Sequence, residues 1–180
     1  MQQLRILPLF ITRRFIRIGA AGIAAAVACL SAAGPASAEF PKKQLLPLDT
    51  ALKIAAAAQK KCQADGYAVS AVVVDRDGVV LAQLRNELAG PHTLNSSYRK
   101  AFTAASLGRS TQELANALQA KPELFGMRNM DDRILILGGG LPIRAENELL
   151  GGIGVGGAPG GNLDEACARA GLELLPPDEK

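Results

Sequence analysis

The feature that most limits what this chain can fold into is a run of glycines in its last third. Gly138, Gly139, Gly140, Gly151, Gly152, Gly154, Gly156, Gly157, Gly160 and Gly161 fall within two dozen positions of sequence. Glycine lacks a Cβ, so such a segment belongs where the backbone turns tightly or where another backbone comes very close. One reading is therefore tight strand connections plus a strand approached by a neighbouring segment. The other is a pocket walled by bare main chain, suited to a flat, bulky ligand. Gly154-x-Gly156 is no dinucleotide fingerprint, because that motif follows a first strand, opens a helix and precedes an acidic residue about 20 positions on. A phosphate loop would need a Gly-Lys-Ser/Thr end, and none is present.

Hydropathy patterning fills in the rest. Residues 49–65 place Leu52, Ala55, Ala56, Gln59 and Cys62 at helical spacing, with Asp49 as cap and Gly66 as stop. The β-branched stretch 68–75 and the stretch 79–84 flank Asp77-Gly78, which predicts a hairpin. A polar loop, 86–94, precedes a second helix over 95–107, with Tyr98, Phe102, Ala105 and Ser106 on one face. Ser110 and Thr111 open a further helix to about Ala120, ended by Lys121-Pro122. Residues 121–132, with Phe125, Met127 and Met130, read as a covering loop. Residues 133–137, 141–144 and 149–155 read as three more strands. Asn162 and Glu165 read as a capping box for a last helix over 163–170, which Gly171 ends. The order gives an α+β class: a five-stranded, mainly antiparallel sheet flanked by helices, rather than alternating β-α units.

The N-terminus points to export. Arg5, Arg13, Arg14 and Arg17 precede an apolar run over 18–30, and Ala36-Ser37-Ala38 follows as a cleavage site. That run of about 13 residues is short of the roughly 20 needed to span a bilayer. Residues 1–38 are thus expected to be a signal peptide, 39–47 a lead, 48–175 the folded domain and 176–180 a tail, with the protein periplasmic or secreted. Thr12-Arg13-Arg14-Phe15 partly resembles a twin-arginine signal, and Ala26-Val27-Ala28-Cys29 a lipoprotein box, so the export route stays open. The leader takes four of the 20 basic residues and none of the 17 acidic ones, which leaves a formal charge of −1 with His neutral. No basic face for nucleic acid remains, and no stable membrane insertion is expected after cleavage. Cys62 and Cys167 each sit at an apolar helical position, where a disulfide and two buried thiols are both open readings.

His92 is the only histidine of the chain. It stands between Pro91 and Thr93, just before a helix whose first amides are free donors. With no Gly-x-Ser-x-Gly elbow, a Ser-His-Asp triad would need Ser96, Ser97 or Ser106 to reach it. His92 is either an ordinary loop residue or an axial or pocket contact to a bound metal cofactor, for which neutral imidazole is well suited. Arg99 and Lys100 read as solvated cations or as partners for a ligand carboxylate. Met127 and Met130 read as gap-fillers. No pair of carboxylates placed for acid/base work can be argued.

Several segments together carry a resemblance: Val72-Val73-Val74-Asp75-x-x-Gly78; His92-Thr93 followed by Arg99-Lys100-Ala101-x-Thr103-Ala104-Ala105; Gly139-Gly140-x-Pro142-Ile143; Gly152-Ile153-Gly154-Val155-x-Gly157-Ala158; and Asp164-Glu165-x-Cys167-Ala168. In this order they resemble the GlcG/HbpS family of haem-binding proteins, from about Leu46 to Leu175. The resemblance implies a profilin-like fold, a homo-oligomer, and haem as cofactor, with weak oxidative haem degradation as the enzymatic variant. With haem as the ligand, His92 is expected to coordinate or hydrogen-bond at the iron as the metal-site residue, supported by Thr93, with Lys100 toward a propionate and Gly139, Gly140 and Gly154 lining the pocket. Many relatives read Gly-Val-Ser-Gly where this chain has Gly154-Val155-Gly156-Gly157, which removes a hydroxyl. An accessory role toward a small hydroxy acid or a corrinoid, and a structural oligomer without ligand, are the rival readings. Fold follows more securely than function from such a resemblance.

Overall fold

A computed structural model describes residues 42–175. The expected leader, its cleavage site and the tail after Leu175 lie outside the described residues. The elements are α1 (Leu48–Ala64), β1 (Ser70–Asp75), β2 (Val80–Arg85), α2 (His92–Leu107), α3 (Thr111–Ala120), a 3-10 turn (Pro122–Asn129), β3 (Gly140–Ala145), β4 (Glu148–Gly156) and α4 (Gly161–Leu172). The class is α+β. No described helix is long and apolar enough to cross a membrane.

The sheet has four strands, not the five expected, in the order β2-β1-β4-β3 with every pair antiparallel. The missing strand is 133–137. Ile134 and Ile136 are buried with Phe102, Leu114 and Leu118, so the apolar alternation that suggested a strand is real. Its backbone, however, is satisfied by α2 side chains. The Ile134 carbonyl accepts from Arg99 Nη2 at 2.7 Å, and the Leu135 N–H donates to Thr103 Oγ1 at 2.8 Å.

Strand β4 explains the glycine run. Ile153 and Val155 point to one face, where Ala71, Val73 and Ile143 join them against α1 and α4. Gly152, Gly154 and Gly156 point to the other, where α2 lies. A Cβ on Gly154 would overlap the Ser97 carbonyl oxygen and stand 2.5 Å from the Ala101 nitrogen, and one on Gly152 would stand 2.9 Å from the Ala105 nitrogen. Helix backbone rests on strand backbone, so only glycine fits.

The β1–β2 hairpin turns at Gly78, whose φ of +79° is open to glycine, while the Asp75 carboxylate accepts from the Asp77 and Val79 N–H groups. Helix α2 begins at His92, three residues earlier than expected, and stops at Gly108 in the left-handed conformation. Its buried set includes Ser97, Lys100, Ala101 and Ala104 besides Phe102 and Ala105, whereas Ser106 is exposed. In α1 the buried stripe is Ala51, Ile54, Ala55, Ala58 and Cys62, so Leu52 faces out, and Asp49 sits in the first turn rather than capping it. The expected Asn162–Glu165 capping box does not form, since α4 starts at Gly161. Glu165 instead accepts from Ser110 Oγ at 2.8 Å, and Ser110 caps α3 as expected. Gly171 does not end α4. It lies where α4 crosses α1, and a Cβ there would stand 2.6 Å from the Ile54 carbonyl oxygen. Cys62 and Cys167 are joined as a disulfide across the same helix pair, closing a sequence separation of 105.

Candidate functional site

The expected site residues string along α2. His92, its first residue, is exposed, and its ring lies over Gly90, where an added Cβ would stand 2.6 Å from Cε1 and 2.8 Å from Nδ1. The adjoining 86–91 loop is held from several sides. The Arg85 guanidinium donates to the Glu87 and Ala89 carbonyls, and the Asn86 side chain accepts from the Leu88 N–H at 2.9 Å. Thr93 is buried. Its hydroxyl donates to the Gly90 carbonyl at 2.6 Å and is hydrogen-bonded at 2.8 Å to Ser70 on β1, while the Thr93 carbonyl accepts from Ser97 Oγ at 2.6 Å. The imidazole therefore projects from a helix start that is pinned to the sheet beneath it.

Lys100 is only 2% exposed rather than solvated. Its ammonium donates to Asp164 Oδ2 at 2.8 Å and to the Val155 carbonyl at 2.9 Å, and the other Asp164 oxygen accepts from the Ala158 N–H at 3.0 Å. Burial pushes the Asp164 carboxyl up, against the opposing pull of Lys100 and of the Ala158 N–H. The pair ties α2, the end of β4 and α4 together. Breaking it from one side would strand a buried charge, at a cost of about 3–5 kcal/mol. Lys100 thus has its partner already and is not free to receive a ligand carboxylate.

Gly139, Gly140 and Gly154 converge on the same seam, each in close contact with α2, β4 or α4. A Cβ on Gly139 would stand 2.7 Å from Asp164 Cβ, and one on Gly140 2.5 Å from the Lys100 carbonyl oxygen. The pocket expected between the His92 region and the glycine strands is filled by α2 itself. Sequence reasoning missed Asp164 as the partner of Lys100. The available signal was a lysine three residues after Ser97 and next to Ala101 and Ala104, amid small residues.

Two further features lie elsewhere. Arg133 stacks on Phe102 with Cζ 4.0 Å from the ring centroid, next to Tyr98. Its hydrogen bonds hold the Asp131 carboxyl down to about 2. A cleft of about 310 Å³ opens between Ser110, Pro142 and Arg169, where Arg169 is paired with Glu165 at 2.9 Å and Arg109 with Glu113 at 3.6 Å. Among the described residues no group of three or more His, Cys, Asp or Glu side chains could hold a bare metal ion.

The solved structure of HbpS is 43% identical, superposes with a TM-score of 0.71, and the match covers 77% of this chain and 95% of that one. A solved complex of PduOC with haem superposes with a TM-score of 0.68 at 22% identity, over 73% of this chain and 96% of that one, which is a likeness of fold. An uncharacterised 15.0 kDa protein from the dhaT-dhaS intergenic region of Citrobacter freundii is 34% identical over 62% of this chain and 80% of its own length. The sequence profile described as haem degrading protein HbpS-like matches residues 46–173, which is nearly all of the described domain, and the chain belongs to that HbpS-like family.

Proposed function

We propose that this chain is an exported haem-binding protein that sequesters, stores or senses haem, with His92 as the protein ligand to the iron. The observation that carries the reading is a solvent-facing imidazole on a rigid footing, in a chain whose family description names haem across the whole domain. The PduOC neighbour is itself a haem complex.

Haem, when bound, supplies a planar apolar macrocycle, an iron with axial positions and two carboxylates. The residues present fit a seat on the outside of the domain. The Arg85 and Asn86 contacts hold the 86–91 loop that lies beside the imidazole at Gly90, and Thr93 fixes the first turn of α2 to β1 through Ser70. Such second-sphere ties hold a ligating side chain in place before the ligand arrives. Lys100 contributes from below by locking α2 to α4. Export is supported by the leader over 1–38 and by the Cys62–Cys167 bond, a kind of cross-link that persists in oxidising compartments.

The family description also favours a second reading, in which haem is a substrate broken down by oxygen and an added reductant. Among the described residues no carboxylate is paired with His92, so in this reading the chain's part would be to hold and expose haem rather than to move protons.

Titration of the purified protein with hemin tests both readings. A shifted, saturable Soret band in the wild type and its loss in His92→Ala are expected. Hemin absorbance identical to that in buffer contradicts binding, and an unchanged band in His92→Ala removes His92 as ligand. Decay of the band under ascorbate and oxygen, with a biliverdin-like product, selects the degradative reading.

A further inference from the structure

Helix α4 is the last described element, and little apolar area holds it to the rest of the domain. Its buried positions are Asp164, Cys167, Ala168 and Gly171, so it sends no large side chain fully into the core, and Leu163 and Leu172 are only half-buried. Where it crosses α1, Gly171 meets the Ile54 carbonyl and Ala58. Hydrophobic stabilisation follows the apolar area removed from water, so this close approach of small residues holds the helix weakly. The helix also starts without a side-chain cap, carries a glycine within, and at 12 residues is marginal by itself. An element of that kind at a chain end is the first to open locally.

Among the described residues three side-chain ties reach α4 from elsewhere: the Ser110–Glu165 hydrogen bond, the Lys100–Asp164 ion pair and the Cys62–Cys167 bond. The ion pair is a poor fastener alone, because taking both charges out of water offsets most of their attraction. The covalent bond is the strong tie. Both of its cysteines are fully buried, so a thiol or an oxidant reaches the sulfurs only while α4 stands away from α1. A dithiol chain, whose α4 opens readily, is thus quick to close the bond, and a closed one is slow to lose it.

We propose that closure of Cys62–Cys167 is a one-way latch that makes the domain competent for its ligand only after folding in an oxidising compartment; the ligand and the compartment rest on the haem and export readings above. Two thiols become one disulfide, and the two protons and two electrons released reduce a small-molecule or protein disulfide to its two thiols. In the dithiol chain α4 opens and Asp164, one turn before Cys167, leaves Lys100. The Lys100 ammonium, only 2% exposed, is left with the Val155 carbonyl and draws the middle of α2 off the glycine lane toward water. His92 is the first residue of that helix and loses its footing with it. Haem uptake therefore waits for oxidation.

The test follows hemin titration and amide exchange in oxidised wild type, in wild type refolded in excess dithiothreitol, and in Cys62→Ala/Cys167→Ala. The dithiol and double-alanine proteins are expected to exchange the α4 amides about tenfold faster or more, and to bind hemin about tenfold more weakly or worse. Oxidised glutathione is expected to restore both properties in the dithiol protein and neither in the double-alanine one. Ile153→Ala, which loses core area and keeps the bond, is expected to match wild type in both, which separates a latch from general instability. Equal α4 exchange in oxidised and dithiol proteins overturns the proposal, and so does a comparable loss in Ile153→Ala. Faster α4 exchange with unchanged hemin affinity overturns the link to the ligand. No Soret shift in oxidised wild type sinks the haem reading, while α4 exchange still decides whether the bond latches the helix. If the dithiol chain does not refold, the double-alanine variant decides, and global unfolding of both overturns a latch confined to α4.

Discussion

The two faces of the sheet are held by different physics. Toward α1 and α4, Val73, Ile143, Ile153 and Val155 interdigitate as side chains, and the Cys62–Cys167 bond cross-links the two helices above them. Toward α2, Val72 and Val74 flank a lane of glycines on which the helix rests backbone to backbone, locked by the buried Lys100–Asp164 pair. Side-chain packing tolerates small losses through partial relaxation. A backbone seam has no side chain to move aside, so it tolerates no addition. The difference shows that the glycine run serves the close approach of helix to strand, and it puts the haem of our proposal outside the seam.

Substitutions on the two faces should therefore reverse the usual order of severity. Gly154→Ala adds one methyl group into the Ser97 and Ala101 backbone and is expected to cost more than about 3 kcal/mol, enough to abolish cooperative unfolding or the fold itself. Ile153→Ala removes three carbons one residue earlier and is expected to cost about 2–4 kcal/mol while still folding. Chemical denaturation of both variants checks the order, and equal or reversed losses break the contrast.

Removing the cross-link probes the other face. Replacing Cys62 and Cys167 together by alanine frees a loop of 105 residues and is expected to lower stability by about 4–5 kcal/mol, read as a lower denaturation midpoint. Because both sulfurs are fully buried, mild reductant should leave the native wild type oxidised until it unfolds. A smaller loss than for Ile153→Ala would move the burden from the disulfide to the packing beneath it.

The smallest effect lies on the outer layer of α2, where Arg133 covers Phe102. Asp131 is held down to about 2 by Arg133, below its ordinary 3.8. Its contribution is therefore fully present above about pH 4 and fades as pH falls through 2. Thermal melts of Asp131→Asn should lie slightly below wild type near neutral pH and converge with it toward pH 2. Parallel curves across that range would remove this clamp from the account.

Much of the fold was legible because it is local. Asp77-Gly78 announced the hairpin and Ser110 the start of α3. The error at 133–137 arose because burial against Phe102 and Leu118 produces the same alternation as a strand, while the hydrogen bonds that distinguish the two come from Arg99 and Thr103, more than 30 positions earlier. The arrangement of the expected site residues was not legible. His92, Thr93, Lys100 and the glycines do gather along α2, yet Asp164, which engages Lys100, lies 64 positions beyond it. Long-range ion pairs leave no periodic trace. The disulfide was open for the same reason, since two apolar helical positions do not reveal which helices cross.

Amide hydrogen exchange with and without hemin tests the central claim most directly, that ligand is held outside an intact seam. The account predicts new protection at residues 86–93, with the amides of β4 and of α2 from Ser97 onward unchanged. Loss of protection at Gly152, Gly154 and Ala101 on adding hemin would mean that the macrocycle opens the seam and enters between helix and sheet, contrary to this account.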